Sequence, residues 1–135
     1  IFYLLCGVLA SVAHILTDPG SVVPTVGASG AISGIMGAYL VLYPRVRVHT
    51  LFFLIVCIRV IPLPAWVLLI QWIVLQVFSG VSTSGAEGGG VAFWAHIGGF
   101  AAGVVLIKLF QRPQLVTAKR NHVQLSRDDL LRLRW

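Results

Sequence analysis

The chain has 135 residues, 58% of them hydrophobic and 10% charged, with a mean hydropathy of +0.93. A soluble domain carries about 25% charged residues, so this composition excludes an ordinary water-soluble domain and points to lipid as the solvent. The net charge of +6 raises nucleic-acid binding, but the placement of the charges argues against it. Arg45, Arg47 and Arg59 lie between two apolar segments, Lys108 stands at the end of the last one, and Arg112, Lys119, Arg120, Arg127, Arg132 and Arg134 follow it, the alternation that sets membrane topology.

In chain order, the first apolar segment covers residues 1–15. It opens without Met, and without the basic lead of a cleavable signal peptide, so it is expected to start partway along a helix with further helices upstream. Thr17-Asp18-Pro19-Gly20 breaks it, and a loop carries the chain past Pro24 to Val26. The second segment, residues 29–43, is stopped by Pro44 and a basic stretch; residues 51–58 are apolar but too short to span, which reads as an interfacial or re-entrant piece. Pro62 and Pro64 lead into the third segment, residues 65–78. A Gly-rich loop over residues 79–90 reads as a lid or a plain connector, and the fourth segment covers residues 91–110. Beyond Pro113 a basic tail is expected to form a short surface helix ending at Trp135.

The loops after the first and third segments hold Asp18 and Glu87 and no Lys or Arg, while the loop after the second and the tail hold all the basic residues. The positive-inside rule then puts the basic regions in the cytosol and the acidic loops outside, with the four segments running alternately outward and inward. The expected fold class is all-α, a polytopic transmembrane helix bundle. Residues 1–112 form its core, and residues 113–135 a cytosolic tail drawn to anionic lipid. Cys6 and Cys57 sit in apolar runs as small hydrophobes, and Trp66, Trp72 and Trp94 read as packing or interfacial anchors. No metal-ligand cluster, nucleotide fingerprint or cofactor motif is evident.

Two features carry chemistry. Val26-Gly27-Ala28-Ser29-Gly30 opens the second segment, which at 1.5 Å per residue reaches only about 22 Å across a hydrocarbon core about 30 Å thick. With its basic end at the cytosolic surface, Ser29 lies below the outer one, at a helix N-terminus whose free N–H groups suit a developing negative charge. Ala28 and Ser29 are the backbone donors expected for such an oxyanion hole. His96 lies roughly 7 Å into the fourth segment from the same side. An imidazole at that depth seeks the bundle interior and a partner. Small residues on the second segment (Gly30, Gly34, Ala38) and on the fourth (Ala95, Gly99, Gly103) recur at four-residue spacing, which lets helix backbones approach. Close packing could bring the Ser29 hydroxyl within reach of the imidazole that would activate it. No carboxylate shares their depth, so the pair is a dyad. Taken singly, each residue has a plain structural reading: Ser29 bonded back to a carbonyl, His96 a satisfied core side chain or a proton relay.

Together these residues resemble the rhomboid intramembrane serine proteases. Gly27-Ala28-Ser29-Gly30 resembles the family's GxSG motif, and Ala95-His96 with Gly99 and Gly103 resembles its AHxxGxxxG motif. The resemblance spans roughly residues 1–112. It implies a rhomboid-like fold with four of six core helices present, the third to the sixth, in which Ser29 is the nucleophile, His96 the general base, and Gly27, Gly30, Gly34, Gly99 and Gly103 close packing positions. The family's HxxxN motif is expected upstream; His14 and Asp18 share its spacing but not its second residue. Ser33 stands where many members carry an aromatic residue that stacks on the His, and is expected to offer a hydrogen bond instead.

The function implied is an intramembrane serine endopeptidase that cleaves transmembrane segments of membrane proteins. It would sit as a multi-pass protein in a bilayer, with a bacterial plasma membrane preferred because the loops are short. The alternative is a catalytically inactive rhomboid-like protein that binds transmembrane clients. A transporter or channel ranks third, since the chain lacks a run of intramembrane charges. Substrate identity, cleavage-site preference and oligomeric state are not legible in the sequence.

Overall fold

A computed structural model describes residues 1–20, 24–54, 57–83 and 92–121. The chain is mostly helical. Its elements run α1 (Phe2–Thr17), α2 (Ser29–Leu42), β1 (Arg47–Leu54), β2 (Cys57–Pro64), α3 (Ala65–Thr83), α4 (Phe93–Phe110) and α5 (Pro113–Arg120). Helices α3 and α4 are long and apolar enough to cross a membrane, and α1 and α2 are shorter apolar helices. The third helix runs past its expected end and takes up Ser79 to Thr83; the rest of the loop read as lid or connector lies outside the described residues. Pro113 opens α5, where its missing N–H costs nothing; the tail beyond residue 121 also lies outside the description.

The core lies where α1, α2 and α4 meet, and small residues build it. Gly30, Ala31, Ser33, Gly34, Gly37 and Ala38 are buried on α2, Cys6 and Ala10 on α1, and Ala95, His96, Gly99, Phe100, Gly103 and Ile107 on α4. On α4 that set repeats every three or four residues, the stripe of one helix face. Large apolar side chains point outward instead: Leu4, Val74, Phe78, Val105 and Leu109 are all exposed. A water-soluble bundle would be the reverse, whereas in lipid an outward Leu or Phe loses nothing.

The depth of the contact is set by glycine. A Cβ on Gly99 would collide with the Gly30 carbonyl oxygen, one on Gly103 with the Gly34 carbonyl, and one on Gly37 with the Phe100 carbonyl. These seats run in the same sense along both helices, so α2 and α4 are parallel. On the other side, Cβ atoms on Gly34 and Gly30 would strike Cys6 and Ala10 of α1, which runs antiparallel to α2, with the Phe2 and Phe110 rings meeting edge-on at 5.4 Å. Helix α3 is peripheral, burying only Ala65 and Gly80. The alternating directions agree with those expected from the charge pattern.

Between α2 and α3 the chain forms an antiparallel hairpin, with Arg47 opposite Pro64 and Leu54 opposite Cys57. The segment at residues 51–58, expected to be interfacial or re-entrant, belongs to these strands, and the fold is mostly rather than wholly helical. In a two-stranded ribbon each strand has one unpaired edge. Pro62 and Pro64, two residues apart, can both turn their missing N–H toward it. The hairpin's base is tied down by Ala65 N–H donating to the Val46 carbonyl (2.8 Å) and Trp66 N–H to Pro44 (3.0 Å).

Candidate active site

Helix α2 begins abruptly. Gly27 has φ +149°, a conformation that side-chain-bearing L-residues rarely adopt, and the next residue, Ala28, is already the N-cap. Gly27 is exposed, so its lack of a side chain serves the turn rather than the close helix contact expected of it. Ala28 makes no side-chain cap bond. The first intrahelical bond runs from Ile32 N–H to the Ala28 carbonyl (3.0 Å). The N–H groups of Ala28, Ser29, Gly30 and Ala31 precede it and are left over at the positive end of the helix dipole.

Ser29 is exposed while His96 is only 9% exposed, so the hydroxyl stands at the mouth and the imidazole beneath it. His96 sits in the first turn of α4, its N–H bonded to the Ala92 carbonyl at 3.2 Å. The seating of Gly99 on Gly30 brings the two side chains together. His96 Nε2 lies 2.8 Å from Ser29 Oγ, a good hydrogen-bond length. Gly30, Gly34, Gly99 and Gly103 all occupy close helix contacts.

Two further side chains reach the imidazole from α3. Gln76 Oε1 lies 2.8 Å from His96 Nδ1. The Trp72 ring lies against the imidazole at 5.8 Å and 37°, and against Phe100 at 6.2 Å. Trp72 is therefore part of the site rather than only an anchor. Ser33, buried to 1% exposure, donates to the Ser29 carbonyl at 2.7 Å. Its hydroxyl is spent on its own helix and the hydrogen bond expected toward His96 comes from Gln76.

Gln76 carries no motif, but a signal was present. It is a polar side chain in an apolar helix, one turn beyond Trp72 and on the same face, and such a group in lipid finds a partner. His14 does not join the dyad; its Nδ1 is buried with no hydrogen-bond partner among the described residues. Arg45, Arg47 and Arg59 belong to the hairpin and its approach, at the opposite end of α2 from Ser29.

The arrangement is one a hydrolase could use: a hydroxyl open to approach, an imidazole poised to take its proton, and unbonded amide hydrogens at a helix start beside it. A family model described as Rhomboid domain matches residues 1–113. No curated protein and no solved structure matches the chain.

Proposed function

From the premise that the chain belongs to the rhomboid family, we propose that it is an intramembrane serine endopeptidase acting on transmembrane segments of other proteins. The observation that carries this is the 2.8 Å contact between His96 Nε2 and an exposed Ser29 Oγ. Ser29 Oγ attacks the scissile carbonyl carbon as its proton passes to Nε2. The resulting oxyanion is met by N–H groups at the start of α2, with Ala28 and Ser29 as donors. Collapse breaks the C–N bond, and the proton on Nε2 goes to the leaving amine. A water then attacks the acyl carbon, giving its proton to Nε2, and the tetrahedral intermediate collapses by breaking the bond to Ser29 Oγ, which takes the proton from Nε2 as the acid product leaves.

A substrate helix keeps its carbonyls in its own hydrogen bonds, so the segment cleaved must be locally unwound. The charge pattern supports an orientation with the mouth of the site toward the outside and the tail in the cytosol. In proteoliposomes, the protein is expected to cleave a model transmembrane substrate and to be labelled by a fluorophosphonate probe at Ser29. Ser29→Ala should abolish both, and His96→Ala should lower cleavage at least about 100-fold. Binding of the substrate without cleavage, together with no labelling of the wild type, would instead establish an inactive client-binding relative.

A further inference from the structure

Both nitrogens of His96 are engaged, and from different helices: Nε2 by Ser29 Oγ of α2 and Nδ1 by Gln76 Oε1 of α3, each at 2.8 Å. A neutral imidazole has one N–H and one bare nitrogen. With the proton on Nδ1, the ring donates to the Gln76 oxygen, and Nε2 is free to accept the Ser29 hydroxyl. With the proton on Nε2, the amide would have to turn over from the orientation seen and present its NH2 to Nδ1, and the ring would point an N–H at the nucleophile it must deprotonate. An acceptor oxygen at this place thus selects the tautomer that can act as a base.

We infer that Gln76 is the positioning residue of this site, fixing the proton of His96 on Nδ1 through its amide oxygen. This rests on the reading of Ser29 and His96 as nucleophile and base. An amide suits the location because a carboxylate inside an apolar bundle carries a large desolvation cost. When His96 takes the Ser29 proton, its Nδ1–H bond to Oε1 becomes charge-assisted and strengthens, so the amide also holds the ring still while it is cationic. Trp72, one helical turn away on the same face of α3, restrains the ring plane, so α3 sets both the ring's orientation and its protonation pattern.

The test uses the full chain in bilayers. Nitrogen-15 spectra of histidine-labelled protein, with His96 assigned by its loss in His96→Ala, should show Nδ1 protonated and Nε2 bare at a pH where the ring is neutral. The second-order rate of fluorophosphonate labelling of Ser29 should fall about 10- to 100-fold in Gln76→Leu and Gln76→Met, a share of what a positioned base contributes. The same variants should show a mixed or reversed tautomer. Gln76→Glu retains an acceptor oxygen and, despite the desolvation cost of a carboxylate, should label faster than Gln76→Leu and Gln76→Met. A packing role predicts the opposite order, since Leu and Met suit an apolar helix better than Glu. Wild-type protein with the proton on Nε2, or Gln76→Leu labelling at the wild-type rate, would overturn the assignment. Failure of the dyad reading looks different: the wild type would label no faster than Ser29→Ala, whatever the tautomer.

Discussion

An imidazole ring held from both nitrogens and one face has few ways left to move. In this site Trp72 covers the ring, Gln76 and Ser29 take its two nitrogens, and Ser33 ties back to the Ser29 carbonyl. Gly27 acts on the other partner by turning the chain directly into α2. Gly27→Ala would place a side chain on a backbone held at φ +149°, a strain of about 1–3 kcal/mol. The easy relief is rotation of the peptide between residues 27 and 28, which would swing the Ala28 N–H away from the proposed oxyanion position. Labelling of Ser29 is therefore expected to fall about 10-fold or more, while helix content by circular dichroism stays unchanged. Ser29 and His96 were legible in the sequence because a Gly-rich helix start and an intramembrane imidazole each narrow the chemistry, and their depths could be matched. Gln76 and Trp72 were not, because their roles depend on how α3 is rotated about its own axis, and hydropathy gives a helix's length but not its phase.

At the scale of elements, two kinds of segment behave differently. The four apolar helices follow from composition, and their ends from Pro44, Pro113 and the Asp18-Pro19 break. The hairpin was hidden because its second strand holds Pro62 and Pro64, which argue against a strand anywhere except at an edge. Helix contacts are where elements decide stability. Gly103→Ala would push a methyl group into the Gly34 carbonyl, backbone that has no rotamer through which to yield. The expected cost is about 1–3 kcal/mol, measured by unfolding in bicelles. Ala101→Leu, on the exposed side of α4, should change stability by less than about 0.5 kcal/mol. Ser29 labelling should also drop in Gly103→Ala, although the substituted residue lies about 10 Å along the helix from His96.

For the whole molecule, the two ends of the bundle carry different chemistry. One end holds the dyad and the start of α2, and the other holds the arginine-flanked hairpin and α5, with Lys119 and Arg120 in its last turn. In sealed cells, with Cys6 and Cys57 replaced by Ser, Asp18→Cys should react with a membrane-impermeant maleimide from outside. Thr117→Cys should react only after permeabilisation. The reverse pattern would invert the orientation drawn from the basic loops. The Gly30–Gly99 and Gly34–Gly103 seats also limit how this assembly can come out of register. Moving the sequence of α4 by one residue against these seats presents Phe100 and Val104 to the Gly30 and Gly34 carbonyls in one direction, and Gly98 and Ala102 in the other, so at least one seat meets a side chain. The alignment of the pair at the mouth is thus held by backbone against backbone, which has no rotamer through which to give way.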